Sequence, residues 1–310
     1  MLLVCRGICE YALANAYYFS RGESLNAYEF LGSHRVSEEG ERFLYSFAFY
    51  EKDAIWVELV GDFNDRHGIR MTRIGESGIW YALYESRICI DGSPYAYRIK
   101  CKSGGIFTRY DPFSEVSPCG ERSFSTVRTE NKFEWSDKKY MSCRKSAFGA
   151  AIENASVFNA EVRDGENYRE LWDRLSLRCA KLGYTHVVIH GAREKLFGDA
   201  FFGCFTPSLR YGSSDDFSYL VNKLHSVNVG VVIEMLPAGV SFPKDAWSLP
   251  ENRSLLMSSA MFWYRNYHID GLFADACNLP LCMTVLSELK KRTDSDLFDF
   301  FAVSDGKIQY

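Results

Sequence analysis

The sequence predicts a multidomain fold, a β part followed by an α/β part. Between about residues 42 and 130 apolar side chains alternate with period two, which is typical of strands. After about residue 150, short apolar segments alternate with amphipathic helices, as in βαβ construction. A length of 310 residues also suits two domains, since a domain usually has roughly 100 to 200 residues.

The N-terminal segment, residues 1–25, is predicted to be helical. It is apolar, but Arg6 and Glu10 interrupt it and no basic region precedes a long apolar run, so we interpret it as a short helix and not as a signal peptide. No stretch in the sequence has the roughly 18 uninterrupted apolar residues of a membrane-spanning helix. No membrane partner is therefore expected.

Residues 26–135 are predicted to form a small β-sandwich. Phe43, Tyr45, Phe47 and Phe49 alternate with smaller or polar residues, and Gly- and Asn-containing turns follow at the intervals of antiparallel strands. A polar, Lys-rich connection, residues 136–150, is predicted to be the linker to the next domain.

Residues 151–310 are predicted to be the α/β part. A helix with one apolar face begins near Tyr168 and ends at Gly183, a second begins at Ser213, and a third covers about Ser254–Tyr267. Five strands are predicted, at Ala155–Glu161, His186–His190, Val229–Met235, Ile269–Asp275 and Leu297–Val303.

Five strand–helix steps fit either an open doubly wound sheet or the first part of an eight-stranded barrel, and periodicity does not choose between them. No strand is followed by G-x-G-x-x-G or by G-x-x-x-x-G-K-[ST], the loops that bind nucleotide phosphates. The sequence gives no reason to expect a cofactor.

Composition excludes several classes of partner. A formal charge of -4 with both signs interspersed gives no basic stripe for nucleic acid. The ten cysteines are scattered without a C-x-x-C pair, which argues against a zinc site and fits a reducing, cytoplasmic location. His186 and His190 share a face of one strand about 13 Å apart, too far to bind one metal ion, and we interpret both as packing residues.

Nine short segments together resemble the bacterial glycogen (1,4-α-glucan) branching enzymes, in the same order along the chain. The resemblance covers roughly residues 26 to 305. The segments are Tyr28-Glu-Phe-Leu-Gly-Ser-His34, Val60-Gly-Asp-Phe-Asn64, Gly75-Glu-Ser-Gly-Ile-Trp80, Tyr110-Asp-Pro112, Leu182-Gly-Tyr-Thr-His186, Phe205-Thr-Pro207, Arg210-Tyr-Gly212, Asp215-Asp-Phe217 and His268-Ile-Asp-Gly-Leu272.

This resemblance implies a glycogen-binding-type β-sandwich followed by a (β/α)8 TIM barrel of the α-amylase superfamily, glycoside hydrolase family 13. About five barrel strands lie within the 310 residues, so we expect a partial barrel. The implied ligand is an α-glucan, and the implied reaction cleaves an α-1,4 link and transfers the chain to a 6-hydroxyl. Such retaining chemistry needs two carboxyl groups about 5 Å apart.

Asp275 is the candidate catalytic residue. In Gly271-Leu-Phe-Ala-Asp-Ala276 it occupies the family's nucleophile position, and we interpret it as a retained, vestigial nucleophile. Two residues earlier the family has an arginine that holds the nucleophile ionised, whereas this chain has Phe273, which cannot donate a hydrogen bond.

Other positions also depart from the family pattern. Gly239 stands for a histidine that contacts the sugar, and Asp199 for a tyrosine that stacks on it. Ser304 aligns with the general acid/base glutamate; its neighbour Asp305 would point to the opposite strand face unless the strand bulged. Glu234 takes the first position of the third-strand motif. The resemblance therefore implies an impaired catalytic site.

Two tryptophans of the sandwich, Trp56 and Trp80, are candidate sugar-stacking platforms, but we interpret them as core residues. Asp65, Arg66 and His67 follow the Gly-Asp-Phe-Asn turn, where the family's module often has a tryptophan. This chain therefore lacks the tryptophan with which the family's module often follows this turn.

Three hypotheses follow. The first is a catalytically inactive branching-enzyme relative that binds α-glucan. The second is an active enzyme completed by a further C-terminal part or a partner chain. The third is a scaffold for protein association, because an open sheet of five strands exposes edges that invite self-association or a partner strand.

Overall fold

The computed structural model describes residues 9–40, 42–114, 125–129, 133–143, 157–163, 165–193, 204–236, 245–293, 301–304 and 307–309. The chain forms two compact units. Unit 1 consists of residues 1–130 and Ser248–Ser258, and unit 2 of residues 131–247 and Ser259–Tyr310. The contiguous boundaries given above at residues 25, 135 and 150 stay a prediction.

Unit 1 begins with helix α1 (Glu10–Ser20), as predicted, followed by two antiparallel sheets. The first sheet has the order β1-β2-β6-β5 and the second β4-β3-β7-β8, with β9 also paired to β7. The strands are β1 (Gly32–Glu39), β2 (Arg42–Tyr50), β3 (Ala54–Gly61), β4 (Ile69–Arg70), β5 (Thr72–Arg73), β6 (Ile79–Ser86), β7 (Pro94–Cys101), β8 (Ile106–Arg109) and β9 (Ser125–Thr126).

The two sheets of unit 1 share one core, which makes it a β-sandwich. Tyr45, Phe47 and Phe49 of β2 are all buried and pack with Tyr95 and Tyr97 of β7. The ring centroids of Phe49 and Tyr97 are 4.3 Å apart, and those of Phe47 and Tyr95 are 5.3 Å apart. The alternation along β2 therefore marks the buried face, as the sequence predicts.

Unit 2 contains one six-stranded sheet in the order β10 to β15, flanked by helices. The first five strands are parallel, and β15 is antiparallel to β14. The elements are β10 (Val157–Glu161), α2 (Tyr168–Leu182), β11 (His186–His190), α3 (Ser214–Ser226), β12 (Gly230–Glu234), α4 (Pro250–Asn266), β13 (Gly271–Phe273), α5 (Leu279–Arg292), β14 (Phe301–Ser304) and β15 (Lys307–Gln309).

The five parallel strands and three of the helices fall where the sequence places them. Helix α2 begins after Asn167, whose side chain accepts the backbone N–H groups of Arg169 and Glu170, and it ends at Gly183 in the left-handed conformation with φ 67°. Helix α3 begins after Ser213, which forms a capping box with Asp216. Helix α4 starts four residues earlier than predicted, at Pro250. Helix α5 and strand β15 were not predicted.

A buried charged network fixes the N-terminal end of this sheet. His225 of α3 contacts Asp137 through Nδ1 (2.8 Å) and Asp270 through Nε2 (3.0 Å), and the other Asp270 oxygen accepts the Tyr140 hydroxyl (3.0 Å). His268 also contacts Asp137 (2.8 Å). Residues at this end of parallel strands serve stability, because sites in such sheets lie at the opposite end. Asp137 lies in the segment predicted to be linker.

No helix within the described ranges has both the length and the apolar character needed to cross a membrane.

Candidate functional site

The carboxyl ends of β11, β12 and β13 bring three side chains into one row. Ile189 pairs with Ile233, so His190 and Glu234 are the next residues along their strands, and Glu234 pairs with Phe273. Paired residues of parallel strands project to the same face of the sheet. This is the end of the sheet at which barrel enzymes carry their sites.

Glu234 is buried, with 7% of its surface exposed, and its carboxylate is held by β11. One oxygen lies 3.2 Å from Nδ1 of His190, and the other accepts the backbone N–H of Gly191 at 2.9 Å. The carboxylate therefore faces the strand on the side away from β13. His190, interpreted above as a packing residue, packs on Phe273 and is in addition the polar partner of Glu234.

Phe273 fills the position where the resemblance implies an arginine. Its ring lies against the His190 ring with centroids 4.8 Å apart, in an edge-to-face arrangement, and packs with Val188, Val232 and Phe301. The interior of this end of the sheet is therefore apolar between Glu234 and β14. A phenyl ring can neither orient a carboxylate nor stabilise its charge.

Asp275 is exposed at the start of the connection to α5. Its Oδ1 accepts the backbone N–H of Asn278 at 2.9 Å, and its carbonyl oxygen accepts those of Asn278 and Leu279. The residue thus forms a turn that leads into a helix, which is a structural use of an aspartate at a strand end. Glu234 and Asp275 are therefore engaged with different partners.

Ser304, which aligns with the family's acid/base position, is buried, and the register of the sheet shows which face of β14 it occupies. Val303 pairs with Phe273, so Ser304, one residue later, lies on the other face of the strand. It does not share the face of Glu234 and Phe273. The predictions for Asp199, Gly239 and Asp305 lie outside the described residues.

Arg193 is a further polar residue at this end that sequence reasoning missed. It is 3% exposed; its Nη1 donates to Ser259 Oγ at 3.1 Å, and its guanidinium lies 5.0 Å from the centroid of the Trp263 ring. Burial lowers the pKa of Arg193 to about 10, so the side chain is still a cation at neutral pH. Its position three residues after His190 was the only signal in the sequence.

Neither Trp56 nor Trp80 of the sandwich has a ring that is fully exposed for stacking on a sugar. Trp80 is buried and its Nε1 donates to the carbonyl oxygen of Glu51 at 3.0 Å, which confirms the interpretation as core. Trp56 is half-buried, and the Arg70 guanidinium lies 4.3 Å from its ring centroid. No group of three histidine, cysteine or acidic side chains that could bind a metal ion occurs in the part of the chain described.

Comparison with known proteins agrees with this architecture. Residues 30–114 match the model of carbohydrate-binding module 48, the isoamylase N-terminal domain. The chain is 32% identical over 300 residues to the 1,4-alpha-glucan branching enzyme GlgB of Cutibacterium acnes, covering 83% of this chain and 46% of that protein. Against the GlgB of Aquifex aeolicus it is 32% identical over 310 residues, covering 84% and 48%.

A solved structure shows the same fold. The pullulanase of Paenibacillus barengoltzii, in complex with maltohexaose and alpha-cyclodextrin, superposes with a TM-score of 0.61 at 15% identity, covering 90% of this chain and 53% of that chain. The resemblance to branching enzymes and the predicted fold class, a β-sandwich followed by a partial α/β barrel, are thus confirmed. The chain spans about half the length of the curated relatives it matches.

Proposed function

We propose that this chain, a homologue of the N-terminal half of bacterial 1,4-alpha-glucan branching enzymes, binds α-glucan without catalysing branching by itself. The module 48 match and the glucan-active neighbours support glucan as the ligand. The free thiols of Cys9, Cys89, Cys277 and Cys282 support a cytoplasmic location, where thiols stay reduced.

One observation carries the inactive part of the proposal: Phe273, at the position where the resemblance implies an arginine, packs its ring on His190. Retaining glycosyl transfer needs a nucleophile and an acid/base carboxyl about 5 Å apart. Here Glu234 is bound by His190 and Gly191, and Asp275 is bound by the start of α5. General acid/base catalysis contributes about 10² to 10⁴ in rate, so its loss alone would leave little turnover.

The test uses the full chain in two assays. In a glycogen co-sedimentation assay we expect the protein in the pellet, and in an amylose assay we expect no change in iodine staining. Protein that stays in the supernatant would contradict glucan binding. Altered staining would contradict the inactive part.

The retained and exposed Asp275 favours a second candidate, an active enzyme whose remaining carboxyl groups come from a further C-terminal part or a partner chain. If branching appears, Asp275→Asn should abolish it, whereas Asp173→Asn, at an exposed position of α2, should leave it unchanged. Self-association through the outer edge of β10 is a related proposal, which sedimentation velocity at two concentrations would test.

A further inference from the structure

Strand β15 lies on the side of β14 where a parallel barrel would continue. One side of β14 pairs in parallel with β13, and the other side pairs antiparallel with β15. In a (β/α)8 barrel every strand has a parallel neighbour on each side. The position that the next barrel strand would take is therefore filled by a strand of opposite direction. The register on this side joins Ala302 with Gln309, Val303 with Ile308 and Ser304 with Lys307.

The connection from β14 to β15 is too short for a barrel step. Ser304 and Lys307 are paired, and two residues, Asp305 and Gly306, separate them in the sequence. Parallel strands need a crossover of about a dozen residues or more, usually a helix, whereas antiparallel strands can be joined by two residues. Asp-Gly is also a dipeptide preferred in two-residue hairpin loops. The chain therefore turns back after β14 instead of continuing the alternation of strands and helices.

Pairing with β15 also determines which backbone groups of β14 are covered. In a two-residue hairpin the residues that flank the loop form a hydrogen-bonded pair, and hydrogen-bonded and non-hydrogen-bonded pairs then alternate. Ser304 and Ala302 therefore direct their N–H and C=O groups at β15, whereas those of Val303 face β13. Without β15, the outer groups would form an unpaired strand edge, to which a strand of another chain can add.

We propose that β15 is an edge cap, a strand that shields the outer backbone of β14 and keeps a further parallel strand from pairing there. A completing strand, from further chain or from a partner, adds to this sheet only after β15 has detached. The segment that follows Ser304, the residue aligned with the acid/base position, thus closes the sheet instead of continuing the barrel.

The edge cap bears on the second candidate function, because an active enzyme needs the remaining barrel strands. It is a property of the sheet, however, and holds whether or not the chain binds α-glucan. Its failure is therefore distinguishable from failure of the proposed function, which is measured by glycogen co-sedimentation and iodine staining.

Amide hydrogen exchange in the full chain tests the edge cap. The double variant Lys307→Pro/Gln309→Pro removes the two N–H groups that β15 directs at β14, since proline has no N–H. We expect the Ala302 amide, which faces β15, to exchange roughly tenfold faster than in the parent protein. The Val303 amide, which faces β13, should keep its protection.

Ile308→Pro is the matched control within the same strand. In the register of the hairpin the N–H of this residue points away from β14, and proline is tolerated where an edge strand directs its N–H outward. The Ala302 amide should therefore stay as protected as in the parent. Equal exchange of Ala302 in the parent and in the double variant would overturn the proposal.

Loss of the edge cap should also make the chain associate with a second copy, because unpaired strand edges pair with one another. In sedimentation velocity at two concentrations, the sedimentation coefficient of the double variant should rise more steeply with concentration than those of the parent and of Ile308→Pro. Association through the edge of β10 is common to all three proteins, so the difference reports on β14. Equal slopes in all three would overturn the shielding by β15.

A further measurement needs only the parent protein and so does not depend on whether the double variant folds. Val303 and Ile308 form a non-hydrogen-bonded antiparallel pair, in which the two backbones approach most closely. We expect a nuclear Overhauser effect between their Hα atoms in protein labelled at valine and isoleucine. Its absence would overturn the proposal, because β15 would then not be paired with β14 in solution.

Discussion

Asp111 is a carboxyl group that the sandwich buries completely. The hydroxyls of Tyr95 and Tyr97 donate to its Oδ2 and the Phe113 N–H to its Oδ1. Burial raises the pKa of Asp111 to about 6, and the hydrogen bonds offset this only in part. The folded state therefore favours the neutral acid, because an unfolded aspartate has a pKa near 3.9.

The pH dependence follows from the sign of this shift. Between about pH 4 and pH 6 the folded chain binds a proton that the unfolded chain has released, so the free energy of unfolding falls as pH rises through this range. Two pKa units correspond to at most about 3 kcal/mol. Urea unfolding of the parent and Asp111→Asn at pH 4.5 and 7 should show the fall in the parent and a smaller one in the variant.

The exposed Asp53 offers a control for that experiment, since Asp53→Asn removes a carboxylate from the same unit without removing a buried one. Its stability should follow the parent at both pH values. Equal pH slopes in the parent and in Asp111→Asn would show that Asp111 is ionised in both states.

Asp137 is the centre of the network at the other end of the sheet from Glu234. Burial acts to raise the pKa of this carboxyl, but hydrogen bonds from His225 and His268 outweigh it and hold the pKa well below its usual range. Asp137→Asn leaves His225, which is buried, without one of its two acidic partners. We expect a loss of about 3 to 5 kcal/mol in the free energy of unfolding, measured with urea at pH 7.

Asp173→Asn is the comparison for Asp137, because Asp173 is exposed on α2. It should change stability by less than about 0.5 kcal/mol, as most surface substitutions do. A loss as small as this in Asp137→Asn would mean that water replaces the aspartate and that the network is not buried in solution.

Resemblance identified Asp275, but the sequence alone did not reveal what surrounds it. His190 and Glu234 are 44 residues apart, and only the parallel register of β11 and β12 brings them together. Phe273 stands where the resemblance implies an arginine, yet its packing on His190 depends on the register of β11, β12 and β13, which periodicity does not report. Ser304 was assigned to the acid/base position, whereas the register of β14 places it on the other strand face.

At the scale of elements, helix α2 has a capping residue at each end, and the two act independently. Asn167 caps the N-terminus with Glu170, and Gly183 ends the helix at φ 67° with no atom near its missing Cβ. Asn167→Ala should lower the free energy of unfolding by about 1 kcal/mol through loss of the cap. Gly183→Ala should lower it by about 1 kcal/mol through backbone strain alone, since no steric clash arises.

Thermal unfolding followed by circular dichroism would measure both substitutions, and the double variant should lose the sum because the two ends are far apart. Ser176→Ala is the matched control within the helix, since its hydroxyl donates only to the Asp173 carbonyl one turn earlier. No loss in Gly183→Ala would indicate that the helix ends elsewhere in solution.

The elements that were predicted and those that were missed differ in the strength of their pattern. Helix α2 has one regular apolar face and clear end signals, and the parallel strands are continuous apolar runs, as expected of strands covered on both faces. Helix α5 was not predicted although the sequence carries a signal for it, since Cys282, Val285, Leu286 and Leu289 are buried at helical spacing. Strand β15 has three residues, too few for any periodicity.

At the scale of the whole molecule, unit 1 is discontinuous in sequence, which no sequence pattern indicated. The first turns of α4, Ser248–Ser258, are part of it together with residues 1–130. Composition and periodicity are properties of neighbouring residues, so they place each residue in the same domain as its neighbours in the sequence. They cannot show that the first part of a helix packs with a distant segment. The resemblance could not show it either, because it rests on motifs and not on contacts.

Two buried serines of this helix make the connection. Ser254 Oγ accepts the Ser24 N–H at 3.2 Å and donates to the Phe19 carbonyl. Ser258 Oγ accepts the Ala27 N–H at 3.0 Å and donates to the Ser24 carbonyl. Ser258 Oγ thus satisfies a backbone donor and an acceptor of the loop after α1, and Ser254 Oγ connects a donor of that loop with a carbonyl in the last turn of α1.

Amide hydrogen exchange in the full chain tests this connection site by site. In Ser258→Ala the Ala27 amide should exchange faster while the Ser24 amide stays protected, and in Ser254→Ala the pattern should reverse. Each lost acceptor leaves a buried donor unsatisfied, which costs about 1 to 3 kcal/mol and corresponds to roughly fivefold to 150-fold faster exchange by local opening. Ser259→Ala, one residue further along, removes a hydroxyl that donates to the Cys204 carbonyl and should change neither amide.

The opposite outcome is that the Ser24 and Ala27 amides exchange at the same rates in all three variants. The loop after α1 would then be held by its contacts within residues 1–130, and the helix would not be needed to complete unit 1.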